Sequence, residues 1–195
     1  QGDAAVDQVL DAIEAAYGAN PSLGINRIEH ATMARPDQIV RMKALGCEAS
    51  FMTDFVYLYG ADYRDKLFGP ERAAFMVPLG AAAKAGVGYS LHSDNPAAGL
   101  PLNPLRLVQT AVTRRCMIDN SVVGPDVALS IDEALRGITL HAARQMGLDG
   151  EIGSLEQGKQ ADLTILESDP YTTDPEKLMD IKVSETWLGG EKAFG

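Results

Sequence analysis

Three short apolar runs, at residues 25–30, 47–52 and 87–92, alternate with segments whose apolar residues recur at helical spacing. That alternation limits what the chain can become more than any other feature. Residues 4–17 place Val6, Val9, Leu10, Ile13 and Tyr17 along one helical stripe, with Asp3 as the predicted N-cap, before a break at 18–22. Arg35-Pro36-Asp37 opens a second helix carrying Ile39, Val40, Met42 and Leu45, and Gly46 ends it. Pro70-Glu71 opens a third, interrupted near Pro78 and stopped at Gly86. Pro104 opens a fourth that runs to about Met117. One strand per helix predicts βαβ units and a parallel sheet, and such sheets collect function at the carboxyl ends of their strands.

Beyond residue 130 the pattern shifts. Ser130-Ile131-Asp132-Glu133 is a capping box that starts a helix with Ala134, Leu135 and Ile138, continuing or restarting through His141 to Met146. From Gly150 the character turns to β. Residues 162–167 and 181–188 are predicted strands, the second entering a hairpin at Gly189-Gly190, and the proline-bearing stretch 169–177 reads as a surface loop. A two-part organisation follows: 1–149 as strand–helix units and 150–195 as a β-rich appendage.

At 195 residues, 46% hydrophobic and 23% charged, the chain can bury one sizeable core. No apolar run approaches the length of a membrane span. A net charge of −10 speaks against nucleic acid as a partner, because phosphate binding needs a basic surface. Cys47 and Cys116 are too few for a disulfide framework and are expected as buried thiols. Nothing fixes the compartment; the cytoplasm is the working expectation.

The residues able to do chemistry cluster at predicted strand ends. Strand alternation puts Asn26, Ile28 and His30 on one face and Arg27 and Glu29 on the other, where they can pair. A lone strand-end His is more often a hydrogen-bonded structural residue than a ligand, yet a neutral imidazole suits zinc. His92 and Asp94, two apart, are expected to point the same way if the strand continues. Asp94 can bind metal or take a proton from an attacking water, or it can simply cap an Asp-Asn-Pro turn. Six of the twelve aromatic residues (Phe51, Phe55, Tyr57, Tyr59, Tyr63, Phe68) lie within 51–68, which reads as a long loop on the functional face, either a lid or a satellite hydrophobic cluster. His141 is read as structural, and Arg114 and Arg115 as helix-closing cations. Phosphate loops, dinucleotide glycine fingerprints and nucleophile elbows are absent from the sequence.

Three stretches together resemble the amidohydrolase superfamily, in particular its family 3 branch. They are Arg27-Ile28-Glu29-His30-Ala31, Ser93-Asp94-Asn95-Pro96, and the tail from Ile152-Gly153-Ser154-Leu155-Glu156-Gln157-Gly158-Lys159-Gln160-Ala161-Asp162-Leu163 to Asp169-Pro170. The tail is the most specific, and the resemblance spans essentially the whole chain.

The resemblance implies the C-terminal part of a metal-dependent (β/α)8 barrel plus part of a small β-sandwich. It implies His30 as the metal ligand ending the sixth strand. Asp94, ending the eighth, would bind metal and handle the proton of the hydrolytic water. The implied cofactor is a divalent metal, zinc first, and the implied substrate a small amide-like molecule cleaved at a non-peptide C–N bond. His92 has no fixed family role and is offered as a contact to the substrate or to a metal-ligating side chain. Gln1-Gly2-Asp3-Ala4-Ala5 resembles the family's segment just after its fifth-strand His, so the remaining ligands are expected upstream of residue 1. A catalytic zinc takes about three protein ligands, so the chain alone is expected to lack hydrolase activity and to bind zinc weakly. Unpaired strand edges predict self-association. Two other readings stay open: a non-catalytic binding or regulatory module on the same scaffold, and a small open α/β sheet that merely shares motifs with barrels.

Overall fold

The computed structural model describes residues 1–17, 26–95 and 99–195. The break at 18–22, Ile25 at the head of the first predicted strand, and Pro96 of the Ser-Asp-Asn-Pro motif lie outside the described residues. The order is α1 (Asp3–Tyr17), β1 (Asn26–His30), α2 (Pro36–Ala44), β2 (Cys47–Met52), α3 (Asp54–Asp62), α4 (Gly69–Ala73), α5 (Leu79–Ala85), β3 (Tyr89–His92) and α6 (Pro104–Thr113). There follow α7 (Ile131–Ile138), α8 (Leu140–Gln145), β4 (Leu163–Leu166), β5 (Val183–Leu188) and β6 (Glu191–Phe194). The first three strands form a parallel sheet in the order β1-β2-β3, and the last three an antiparallel sheet in the order β4-β5-β6.

Register divides the parallel sheet into two chemically different faces. Ile28 pairs with Ala49 and Ala49 with Tyr89, while Phe51 pairs with Leu91; paired residues in a parallel ladder share a face. All five are buried, and their cluster takes in Val6 and Leu10 of α1, Ile39 and Met42 of α2, Leu79 of α5, and Val108 of α6. Each such large side chain contributes about 2 kcal/mol on leaving water. The other face is polar: Arg27 pairs with Glu48, Glu29 with Ser50, Ser50 with Ser90, and Met52 with His92. Gln145 at the end of α8 reaches this face, accepting from Ser90 Oγ at 2.6 Å and donating to the Ala49 carbonyl at 3.1 Å.

Several local expectations hold. The Ser130–Glu133 capping box forms in both directions, Arg27 and Glu29 pair at 2.5 Å, and both cysteines are buried free thiols. Others are corrected. The predicted aromatic loop at 51–68 is strand, then α3, then a π-helical turn at Tyr63–Leu67. Phe55, Tyr59 and Tyr63 follow one another every four residues, so they line one helical face and stack, Phe55 on Tyr63 at 6.1 Å. The expected interruption near Pro78 is present: the third helix is two, α4 and α5, separated by a turn in which Val77 takes φ 47°. The fourth ends at Thr113 rather than Met117, because Arg114 is left-handed at φ 59° and closes it. The predicted loop at 169–177 runs into a 3-10 helix, Pro175–Asp180, whose Leu178 is fully buried in the main core. Asn103 Nδ2 donates to the Met179 carbonyl at 3.1 Å, tying that segment to α6.

Candidate metal centre

Six buried side-chain polar atoms among the described residues have no hydrogen-bond partner, and their placement is not random. Four of them, His30 Nδ1, Thr32 Oγ1, Thr53 Oγ1 and His92 Nε2, sit at the carboxyl ends of the three parallel strands. Buried polar groups are normally paired, so unpaired ones gathered at one pole mark a place built to meet something else.

His30 ends β1 and His92 ends β3, with β2 between them. Their rings nonetheless approach to 5.1 Å between centroids, tilted by 46°. Strict alternation assigns them to opposite faces, since His30 is level with Phe51 and His92 with Met52. The strands are broken where they meet: His30 takes φ 66°, Ala31 φ 43° and Asp94 φ 53°. Left-handed conformations at non-glycine residues cost free energy and cluster at functional sites. Phe55, the first aromatic of α3, packs edge-on against His30 at 5.9 Å and walls it on one side. Of the sequence-predicted site residues, the structure thus gathers His30 and His92, with Asp94 joined to His92 through its backbone.

That backbone link decides what His92 can do. The Asp94 N–H donates to His92 Nδ1 at 3.2 Å. A nitrogen that accepts carries a lone pair, so the neutral ring holds its proton on Nε2, the buried atom without a partner. Burial lowers the His92 pKa most, and the nearby His30 ring lowers it further, against the pull of the Glu29 and Asp94 carboxylates. His92 therefore offers a neutral N–H donor and is poorly suited to ligate a metal through Nε2. Among the described residues, His30 Nδ1 faces no such competing donor.

Asp94 is exposed, two residues beyond the last strand residue, and its carboxylate makes no hydrogen bond among the described residues. The expectation that it shares the strand direction of His92 is corrected by its φ of 53°, which ends the strand before it. Among the described residues no group of three or more His, Cys, Asp or Glu side chains converges as a metal cluster. Among the described residues the fit is that of a partial donor set: an unpaired buried imidazole nitrogen, and a carboxylate without a hydrogen bond beside a neutral histidine.

Two buried cations that the sequence reading did not credit hold the loops around this pole. Arg106 forks onto Asp54 with Nε–Oδ1 3.1 Å and Nη2–Oδ2 3.0 Å, and its Nη1 donates to the Pro101 carbonyl at 2.8 Å. Arg114, fully buried, does not serve the carbonyls of its own helix; it donates to Val123, Val77 and Met76 carbonyls at 3.0, 3.1 and 2.6 Å. Val77 N in turn donates to the Thr32 carbonyl at 2.6 Å, two residues from His30. Burial pulls the Arg114 guanidinium down to about 10, still protonated at neutral pH. The sequence carries no signal for either role, because the acceptors are backbone atoms and a carboxylate remote in the chain.

A profile of the amidohydrolase family, family 3, matches residues 1–194. The N-substituted formamide deformylase of Arthrobacter pascens is 32% identical over 189 residues, 97% of this chain and 34% of the relative. Protein LONG AFTER FAR-RED 3 of Arabidopsis thaliana is 34% identical over 199 residues, 99% of this chain and 33% of the relative. Among solved structures, an uncharacterized metal-dependent hydrolase from Pyrococcus horikoshii OT3 superposes with a TM-score of 0.71 at 30% identity, covering 89% of this chain and 34% of that one. The chain thus spans about a third of the length of the relatives it matches. With a family profile covering all but its final residue, this chain belongs to the amidohydrolase family, in its family 3 branch.

Proposed function

We propose that the chain is the C-terminal part of a metal-dependent amidohydrolase that cleaves a non-peptide C–N bond in a small amide-like substrate. In this reading residues 1–149 supply the last strand–helix units of a (β/α)8 barrel, and 150–195 supply strands of a composite β-sandwich. The relative named a deformylase of N-substituted formamides and the superposed metal-dependent hydrolase support the reaction class. The observation that carries the reading is the unpaired His30 Nδ1 beside His92, at the carboxyl pole where parallel sheets gather their sites.

His30 Nδ1 and the Asp94 carboxylate would hold the metal, and zinc suits an imidazole–carboxylate pair. A divalent cation there supplies Lewis acidity and makes water a better nucleophile at neutral pH. The Asp94 carboxylate, free of hydrogen bonds among the described residues, accepts the proton of the attacking water and returns it to the departing nitrogen. His92 Nε2–H donates to the substrate carbonyl oxygen, where negative charge develops. Thr32 and Thr53 hydroxyls, both unpaired, add polar contacts at the same pole. Asp94→Asn in the full-length enzyme tests this: turnover should fall by about a thousandfold or more with the circular dichroism spectrum intact. Near-normal turnover in that variant rejects the assignment.

A further inference from the structure

The remaining two unpaired buried atoms, Glu48 Oε2 and His141 Nδ1, lie at the opposite pole of the sheet, and both line a cavity of about 370 Å³. The cavity opens between the amino ends of β2 and β3 and helix α8, with Lys43, Gly88, Tyr89 and Arg144 also in its wall. Glu48 is only 6% exposed. One of its oxygens lies 3.4 Å from Arg144 Nε, which leaves the other without a donor. Gly88 lets the Glu48 carboxylate lie against the backbone here, since a Cβ there would stand 2.3–2.7 Å from the carboxylate atoms and displace them. His141 packs edge-on against Tyr89 at 4.9 Å, and burial, then Arg136 and Arg144, keep its ring neutral at pH 7. The pole opposite the metal centre therefore presents a buried carboxylate oxygen able to accept and, beside it, an unpaired imidazole nitrogen that accepts in the tautomer protonated on Nε2. Two cations stand on the rim: Lys43, whose Nζ donates to the Gly86 carbonyl at 2.7 Å, and the largely exposed Arg144.

We propose that this cavity is a binding site for a small zwitterion, an α-amino acid. Its ammonium group would donate to Glu48 Oε2 and His141 Nδ1, and its carboxylate would face Arg144 and Lys43. Unpaired acceptors inside and guanidinium and ammonium groups at the rim form a dipole that such a ligand complements head to tail. The volume is at the small end of ligand pockets, which suits a compact amino acid. A divalent metal is the poorer occupant, because two donors are few and both rim cations repel it. The inference is independent of the hydrolase reading, since it uses none of that pole's residues.

The test is an NMR titration of the ¹⁵N-labelled 195-residue chain with L-alanine, and with ethylamine, propionate and zinc as separate probes. L-alanine should shift amides of residues 43–48, 86–89 and 141–144, and the two half-ligands should bind at least about tenfold more weakly. Glu48→Gln, which keeps shape and loses charge, should weaken L-alanine at least about tenfold. Arg144→Gln, at an exposed position, should weaken L-alanine without weakening ethylamine. The absence of shifts at saturating alanine overturns the proposal. So do equal affinities for wild type and a Glu48→Gln protein that is folded by circular dichroism, loss of ethylamine along with alanine in Arg144→Gln, and zinc binding here in preference to alanine.

Discussion

The rings of His30 and His92 meet at 5.1 Å although their strands are separated by β2 and their register assigns them to opposite faces. Left-handed backbone at His30, Ala31 and Asp94 breaks the alternation at this point, and a buried nitrogen on each ring is left unpaired. The site is thus written into strand endings rather than into strands.

Arg114 should be a stability hub. Arg114→Met removes three hydrogen bonds from a fully buried cation and strands the Met76, Val77 and Val123 carbonyls. The expected loss is about 3 kcal/mol, read as a lower urea midpoint at unchanged m. An unchanged midpoint would show that the three carbonyls find other donors.

The Arg106–Asp54 pair should show strong coupling. Arg106→Met leaves the Asp54 carboxylate, 0% exposed, without its bidentate partner and should cost about 3 kcal/mol. Adding Asp54→Asn to that variant removes the stranded charge and should recover part of the loss. A double-mutant cycle from denaturant unfolding measures this, and additivity within about 0.5 kcal/mol would refute the coupling.

Acid should destabilise the fold partly through His141. Its folded-state pKa is lowered by burial and by Arg136 and Arg144, so below the ordinary value of about 6.5 the unfolded chain binds a proton that the folded chain refuses. The sign follows: this contribution is fully present above that pH and is lost as pH falls toward the depressed folded value. Thermal melts at pH 5 and pH 8 should therefore differ less in His141→Phe than in wild type, and equal differences would remove His141 from the account.

The 195-residue chain should self-associate and bind zinc below stoichiometry. Leu188 and Phe194 are 66% and 60% exposed on the small sheet, and both sheets are open at their edges. Light scattering should report a mass above 20.8 kDa, moving toward it in a Leu188→Lys, Phe194→Lys variant. Dialysed protein should retain well under one zinc per chain, since His30 and Asp94 are short of about three protein ligands. A monodisperse monomer, or one tightly held zinc, contradicts the respective half of this prediction.

Much of the scaffold is legible in residue order alone. Proline and capping signals place the starts of α2, α6 and α7, because local chemistry fixes helix starts. The run Cys47–Met52 reads directly as β2 because a buried parallel strand is apolar throughout most of its length. The aromatic segment was misread although its four-residue spacing was visible: composition suggested a lid, and periodicity described a helix. The strand-end motifs identified His30, His92 and Asp94 as candidates.

What sequence by itself determined was an inventory: the three parallel strands, most helix starts, and which side chains could hold a cation or a proton. Tertiary structure alone decided which of them meet and in what state. The His30–His92 approach depends on backbone dihedrals set by packing across β2, and the His92 tautomer on a single N–H from Asp94. Arg114 reads as a helix-closing cation until its burial shows it gripping a distant turn. Local order is encoded within a few residues, whereas convergence depends on the burial free energy of a whole core, which no short window contains.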